Sequence, residues 1–368
     1  MSEQIGKQSL RFSDPPYIVS SSSVVGTKEG EGPLRELFDV IGEDDTFGSD
    51  NWEAAESALQ KKAMELAIDK AGVCPEDIRY LFAGDLLGQS VASSFALQSF
   101  GIPLFGLYGA CSTAGLVLSL AAMTVSAGYA DLAAAVTSSH FASAEKQFRF
   151  PLEYANQRPL STTWTVTGSG AFLLAGKRKL EELTGRNSPE KIYVEDQSEP
   201  AGTQWTREYR VKISGVTTGK ILDYSVRDSM NMGAAMAPAA KDVIEAHLKD
   251  FGRSAGDYDK IITGDLGGIG REILIDLLRE KNIDIAGNHT DCGLEIFDNE
   301  KQGTGSGGSG CGCSAVTLSA CFLPMLRSGK LKRILFVPTG ALLSKISFNE
   351  GENVPGIAHA VVLESDME

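Results

Sequence analysis

The sequence carries one arrangement of elements twice, and this repeat limits the possible folds more than any other feature. Residues 78–86 predict a short strand that ends in Gly-Asp-Leu, and residues 258–266 predict another strand with the same ending, 180 residues later. In each half an apolar helix follows that opens at a cysteine, Cys111 or Cys313. Order and spacing agree over about a hundred residues per half, so an internal duplication explains the pattern better than chance.

Apolar periodicity places the elements within each half. It predicts amphipathic helices over residues 52–71 and 235–251. Short apolar strands are predicted at residues 17–25, 78–83, 132–137, 166–175, 210–216, 258–263, 334–337 and 358–363. Helices that alternate with apolar strands favour a layered α/β architecture. We therefore predict two similar mixed sheets in two halves, residues 1–180 with Cys111 and residues 181–368 with Cys313.

Composition excludes several classes of function. The chain has 34 basic and 48 acidic residues and a net charge of −14, which argues against nucleic acid and against charge-driven docking on anionic lipid. Six cysteines over 368 residues indicate a reduced protein rather than a disulfide framework. Residues 1–16 are polar, so no signal peptide is predicted.

Residues 86–130 contain no charged side chain. Pro103 and several glycines interrupt this run, and no clean apolar span of about 20 residues appears, so a transmembrane helix is not predicted. We expect a segment buried on both faces, part of it at a subunit interface.

A cysteine lies at the turn between two elements of this run. Residues 102–108 predict a buried strand and residues 114–126 a buried helix, with Cys111 between them. Free N–H groups and the positive end of the helix dipole at such a turn favour a thiolate. Cys111 is therefore a candidate nucleophile, or the relic of one that now lines a pocket.

The duplicated plan and the Gly-Ala-Cys-Ser-Thr-Ala-Gly context of Cys111 resemble the thiolase-like superfamily, which includes thiolases and ketoacyl-acyl-carrier-protein synthases. The resemblance implies a five-layered α-β-α-β-α fold and an acylated cysteine at Cys111. It also implies a second-half His with an Asn or another His. Here Gly264-Asp265-Leu266-Gly267 stands where the first His is expected, and the glycine-rich turn at 303–313 has neither partner. One lost oxyanion donor costs about two to three orders of magnitude in rate, so condensation is not expected.

Longer strings, at residues 288–293, 308–318, 336–342 and 355–361, resemble a non-condensing branch, the stage V sporulation protein AD family. The resemblance implies non-catalytic binding of dipicolinic acid (pyridine-2,6-dicarboxylic acid) or its calcium chelate, for uptake into the developing spore. It also implies a homodimer, peripheral to the spore inner membrane, that acts with other subunits of a dipicolinate-transport membrane complex. The alternatives are an acyltransferase of the 3-oxoacyl-acyl-carrier-protein synthase type, with Cys111 as nucleophile and His289 or His140 as base, and a purely structural scaffold.

A planar dicarboxylate needs cationic groups and N–H donors. The helix N-terminus at Cys111 provides N–H groups, and a long loop predicted at 138–163 carries two arginines. We predict that the ligand-binding residues are Cys111, Ser112, Arg149, Arg158, His289, Cys311 and Cys313. His359 is predicted as a core histidine and His247 as an exposed one.

No resident metal or cofactor is predicted. A single Cys311-x-Cys313 motif with Cys292 is a weak zinc pattern, and the duplication already accounts for Cys313. Calcium is expected only as part of the ligand, with Asp291 and Glu295 as possible further oxygen donors. Residues 196–208 are polar, and the sequence assigns them no role.

Overall fold

A computed structural model describes residues 3–148, 158–186 and 210–366, so Arg149 and residues 196–208 lie outside the described part of the chain. The strands are β1 Glu3–Ile5, β2 Ser9–Arg11, β3 Tyr17–Val25, β4 Val40–Ile41, β5 Tyr80–Gly84, β6 Leu104–Gly106, β7 Leu132–Ser139, β8 Trp164–Thr165, β9 Gly168–Ala175, β10 Arg210–Thr217, β11 Lys260–Thr263, β12 His289–Asp291, β13 Gly308–Ser309, β14 Arg333–Val337, β15 Thr339–Ala341, β16 Gly356–Ala358 and β17 Ala360–Asp366. The helices are α1 Trp52–Ala71, α2 Val91–Leu97, α3 Thr113–Ser126, α4 Phe141–Phe148, α5 Lys177–Arg186, α6 Met232–Phe251, α7 Gly267–Arg279, α8 Cys292–Glu295, α9 Asn299–Gln302, α10 Cys311–Thr317, α11 Leu323–Arg327 and α12 Lys345–Glu350.

Strand order shows the duplication directly. The first half forms the order β3-β9-β7-β5-β6 and the second half the order β10-β17-β14-β11-β12. In both, the first two pairings are antiparallel and the last two are parallel. The two sheets meet edge to edge at one antiparallel residue pair, Tyr17 with Lys212. The prediction of two similar mixed sheets is confirmed.

The two longest helices are also twins. Helices α1 and α6 each have 20 residues, and each is capped by an asparagine side chain, Asn51 or Asn231, that accepts from the N–H three residues later. Each ends at a glycine in the left-handed conformation, Gly72 or Gly252, which a side chain rarely adopts. The prediction of helix 52–71 is confirmed, and the second helix begins three residues earlier than predicted because Asn231 supplies its cap.

Three layers of helices enclose the two sheets. Helix α3, helix α10 and the π-helical turn that follows α10 form the central layer, in one core cluster with side chains from both sheets. Helix α1 covers the outer face of the first sheet, and α6 with α7 covers that of the second. This is the five-layered α-β-α-β-α arrangement that the sequence predicts. Among the described residues, no helix is both long and apolar enough to cross a membrane.

The N-terminal segment crosses between the halves. Strand β2 pairs with β10, so a piece of the first half extends the sheet of the second. The boundary near residue 180 separates the two sequence repeats, but β2 of the first half belongs to the sheet of the second. The division into domains stays a prediction.

Three local predictions are wrong. The strand predicted at 102–108 as buried is β6, and Leu104 and Phe105 are 41% and 50% exposed because β6 is the outermost strand of its sheet. The long loop predicted at 138–163 contains the end of β7 and the whole of α4. His247, predicted to be exposed, is fully buried.

His247 belongs to a buried chain of hydrogen bonds that fixes the N-terminal segment. Because the carboxylate at one end can only accept and the guanidinium at the other can only donate, every hydroxyl and ring nitrogen between them has a fixed role. Burial together with the charge of Arg253 lowers the pKa of His247 to about 3, so the ring is neutral. The chain runs from donor to acceptor through Arg253, Tyr258, His247, Thr217, Ser9 and Asp250.

Replacing Thr217 with valine should destabilise the protein by about 1–3 kcal/mol, because it keeps the shape but leaves the buried His247 ring N–H without an acceptor and removes the hydroxyl that donates to Ser9. Urea unfolding measures the loss. The control is Thr184→Val on α5, whose exposed hydroxyl bonds only to its own helix and should cost less than about 0.5 kcal/mol. Equal effects of the two substitutions would contradict a structural role for the chain.

Candidate functional site

The Cys111 turn is held between the two halves. Ala110 adopts a left-handed conformation, with φ of 50°, and this sharp bend places Cys111 just before α3. Gly340 of β15 lies against the turn: a Cβ atom there would be 2.5 Å from the Gly109 carbonyl oxygen and 3.3 Å from the Cys111 nitrogen. A side chain at residue 340 would push β15 away. The second half therefore closes over Cys111, which is 8% exposed.

Asp265 lies where the resemblance to condensing enzymes implies a histidine. It follows β11 and is 1% exposed. One carboxyl oxygen accepts from the Gly310 N–H (2.9 Å) at the start of α10, and the other accepts from the Thr339 hydroxyl (2.7 Å). The same carboxyl group lies beside the Cys111 thiol and acts on it electrostatically. Asp265 thus connects the two cysteine-bearing helices.

This arrangement keeps Cys111 protonated. Burial, and then the negative charge of Asp265 and the neighbouring Cys311, raise the pKa of the Cys111 thiol well above its usual value. Burial also raises the pKa of Asp265 to about 7, although the Gly310 N–H, the Cys111 thiol and the Thr339 hydroxyl favour the charged form. The expectation that the helix N-terminus stabilises a thiolate is wrong, because desolvation and a carboxyl neighbour outweigh the helix dipole.

The N–H groups and hydroxyl at this turn are partly used by the turn itself. The Ser112 N–H and hydroxyl both bond to the Gly109 carbonyl oxygen, at 3.1 and 2.6 Å, and the Thr113 N–H bonds to that of Ala110. Ser112 is fully buried. The structure therefore places Ser112 beside Cys111 but shows its polar groups occupied.

Of the two second-half cysteines predicted to bind ligand, only one lies with Cys111. Cys311 shares a small apolar cluster with Cys111, Leu86 and Ala144, and its thiol donates to the Ser138 carbonyl at 2.9 Å. Cys313 belongs instead to the large central core, where its thiol donates to the Gly264 carbonyl at 3.7 Å. Within the described residues, no group of three or more His, Cys, Asp or Glu side chains is arranged to hold a metal ion.

Neither candidate base is hydrogen-bonded to Cys111 in the described part of the chain. His140 donates from Nε2 to the Asp45 carbonyl (2.7 Å) and accepts at Nδ1 from the Ala142 N–H (3.1 Å). His289 contacts the Thr263 hydroxyl at 3.1 Å on the outermost strand of the second sheet. Burial, with the charges of Arg271 and Lys260, lowers the pKa of His289 to about 3. Both rings are neutral at physiological pH.

The predicted charged ligands also have other partners. Arg158 forms an ion pair with the buried Glu145 (3.4 Å), donates to the Thr163 carbonyl and stacks over the ring of Trp164 at 4.9 Å. Asp291 is completely buried and accepts from four donors: the Thr263 hydroxyl and the N–H groups of residues 266, 267 and 293. Asp291 is therefore a structural cap for two helix starts, not an open oxygen donor for calcium.

The sequence does not identify three residues of this site: Asp265 and its two donors, Thr339 and Gly310. Asp265 is noted there only because the resemblance implies a histidine at its position. The Gly-Asp-Leu repeat did mark the position, since its first copy contains the equally buried Asp85. However, Asp85 accepts from the Leu87 N–H and from the N–H and hydroxyl of Ser93, all in its own half. The repeat gives the place of the residue and not its contacts.

The fold and the Cys111 turn define a thiolase-like protein. Two similar solved structures are AbyA1, a tetronic acid condensing enzyme (17% identity, TM-score 0.54, covering 95% of this chain and 100% of that one), and 3-oxoacyl-[acyl-carrier-protein] synthase III from Aquifex aeolicus VF5 (12% identity, TM-score 0.50, covering 95% and 99%). At these identities the likeness establishes the fold alone.

Sequence similarity is far more specific. The family model of stage V sporulation protein AD matches residues 6–364. The stage V sporulation protein AD of Bacillus subtilis (strain 168) is 40% identical over 359 residues, which cover 98% of this chain and 97% of that protein. The chain therefore belongs to the stage V sporulation protein AD family, and its role is in sporulation.

Cys111 should be poorly reactive towards iodoacetamide at neutral pH, because the thiolate is the nucleophile and its fraction is very small. Intact-protein and peptide mass spectrometry should show the exposed Cys74 alkylated at pH 7.5 well before Cys111. Asp265→Asn removes one cause of the raised pKa and should increase the Cys111 rate and shift its pH profile to lower pH. The twin substitution Asp85→Asn is the control and should not do so. An unchanged pH profile in Asp265→Asn would refute the effect of Asp265 on the thiol.

Proposed function

We propose that this chain binds dipicolinic acid, or its calcium chelate, without turning it over, and that this binding serves uptake into the developing spore. Membership of the sporulation family supports the biological setting. We propose binding without catalysis because of one observation, the carboxyl group of Asp265 beside Cys111. A condensing enzyme needs a donor or a base there, to stabilise the enolate oxygen and to activate the nucleophile. An ionised carboxyl group in this position cannot donate to an enolate oxygen, and its charge adds to the effect of burial in raising the pKa of the Cys111 thiol.

The surroundings of Cys111 suit a small polar ligand better than a long acyl chain. Thr339 and the Gly310 N–H provide polar groups around Asp265, while Cys311, Leu86 and Ala144 form an apolar wall. A planar ring with two carboxyl groups needs this combination of an apolar slot and a few placed polar groups. We place the ligand against Cys111, Cys311 and Asp265, and we keep Arg149 as a candidate outside the described residues.

We further propose that two copies of the chain associate through β6. Its residues Leu104 and Phe105, together with Phe95 and Tyr108 nearby in sequence, are large apolar side chains with at least 41% exposure. The equivalent outermost strand of the second half, β12, is polar and covered, with His289 and Asp291 buried. An exposed apolar edge strand invites pairing with another strand, and an identical edge from a second copy is complementary to it by symmetry.

Other subunits of the spore dipicolinate-transport complex, at the inner membrane, are the partners that the family resemblance suggests. They remain part of the proposal.

A thioester-forming acyltransferase is the second candidate. The left-handed Ala110 supports it, because this bend presents Cys111 at the start of a helix as a nucleophile requires. It would need a group that removes the thiol proton. His140 and His289 are bonded elsewhere, so this role would fall to Asp265, the carboxyl group beside the thiol.

Calorimetry with dipicolinate, with and without calcium, tests binding. We expect saturable heat with one ligand per chain, and Cys111→Phe should weaken affinity by at least about tenfold because its larger side chain would occupy the position beside Asp265 where we place the ligand. Cys74→Phe, at an exposed position, is the control. No heat at about millimolar ligand would refute the proposal. An acyl adduct after incubation with acyl-thioesters, lost in Cys111→Ser, would favour the acyltransferase instead.

Phe105→Lys should convert the dimer to a monomer in light scattering, since it puts a charge into the proposed strand pairing. The control is Ile346→Lys, which changes a 69% exposed residue on α12, away from the edge strand, and should leave the dimer intact. A wild-type monomer would contradict the interface.

A further inference from the structure

We propose that this site binds a carboxylate ligand together with one proton, and that Asp265 holds this proton in the complex. The inference rests on the proposed function, because it concerns how a carboxylate is accepted at Cys111. It adds a dependence of binding on pH and assigns that dependence to a single residue.

The geometry makes Asp265 the natural contact for such a ligand and also the main obstacle to it. The carboxyl group is buried at the meeting point of β11, β15, the start of α10 and the Cys111 turn. Two of its neighbours, the Gly310 N–H and the Thr339 hydroxyl, already donate to it. A carboxylate that displaced water against Cys111 would therefore face a buried carboxylate.

The charged and titratable groups around Asp265 do not relieve this repulsion. Asp291 acts on it electrostatically from β12, and Cys111 acts on it from the turn before α3. The thiols of Cys292, Cys311 and Cys313, from α8 and α10, are influenced by its charge in turn. Cys311 is also within the field of two further buried carboxyl groups, Glu56 and Asp85. Within the described residues every one of these groups is acidic or neutral, and the guanidinium of Arg158 is paired with Glu145.

A proton shared between Asp265 and the ligand would remove the repulsion between their two carboxyl groups without any further residue. When two carboxyl groups occupy one site, one of them keeps its proton because both cannot ionise. The protonated group then donates a short, charge-assisted hydrogen bond to the other. Burial already raises the pKa of Asp265 to about 7, and a bound carboxylate raises it further. The proton comes from the solvent, and the ligand remains ionised.

The direction of the pH effect follows. Well below the pKa of Asp265 in the free protein, the proton is already present, so binding takes up none and affinity does not depend on pH. Well above it the free carboxyl group is ionised and the bound one is protonated, so binding takes up about one proton and affinity falls about tenfold per pH unit.

The test is calorimetry of the full chain with dipicolinate and a calcium chelator, at pH 6 and pH 8, each in two buffers of different ionisation enthalpy. The difference between buffers gives the number of protons taken up. We expect about one proton at pH 8 and none at pH 6. Asp265→Asn, a permanently neutral mimic of the protonated group, should take up none at either pH, and its affinity should be the same at both. Glu29→Gln is the control: Glu29 is another buried carboxyl group, with its pKa raised to about 8 by burial, and it lies against Thr167 and Asp45. This variant should keep the uptake of one proton.

Wild-type binding at pH 8 without proton uptake overturns the inference while leaving the proposed function intact. Binding that requires calcium and takes up no proton overturns it as well, and assigns the compensating charge to the metal. The wild-type proton count decides the matter even if Asp265→Asn does not fold. Absence of binding at both pH values, with calcium as without, overturns the proposed function and this inference with it.

Discussion

The hydrogen bonds of the Asp265 carboxyl group are the interaction on which the rest of the site depends. They join the end of β11 to the start of α10 and to β15, and the same group lies beside the Cys111 turn of the other half. A carboxyl group in this position can accept from N–H and O–H donors at once, which a hydrophobic side chain cannot do. It also affects what the site can do chemically, because burial and then the charge of this carboxyl group raise the pKa of the Cys111 thiol.

The two halves have the same strand order but differ in the surroundings of one aspartate and in the exposure of the outermost strand. Asp85 and Asp265 occupy equivalent positions after equivalent strands, and each accepts hydrogen bonds within its own half. Asp265 differs because it also lies beside Cys111 of the other half. In the same way β6 is apolar and exposed whereas β12 is polar and covered. The two halves therefore share the order and direction of their strands. They differ in the side chains at two places, the aspartate that follows β5 or β11 and the outermost strand.

Most of the fold could be predicted from the sequence because periodicity and caps are local. Helix 52–71 follows from its apolar spacing and its terminal glycine, and the repeat gives the second sheet from the first. Exposure of β6 could not be predicted, since an apolar edge strand and an apolar buried strand have the same composition. His247 was misplaced for a similar reason: its burial depends on β2, more than 200 residues away, reaching β10. At the site, the sequence identified Cys111 and the lack of a histidine, but the raised thiol pKa depends on a contact between residues 111 and 265 that no local pattern contains.

The two main sheets share one residue pair, Tyr17 with Lys212, so the halves are held together mainly by other contacts. These are the β2–β10 and β8–β13 ladders and the packing of the central helices against both sheets. The contact between Asp265 and Cys111 is one more link across the same boundary. A change in the relative position of the halves would therefore alter the surroundings of the Cys111 thiol, even if the strand ladders within each half stayed intact.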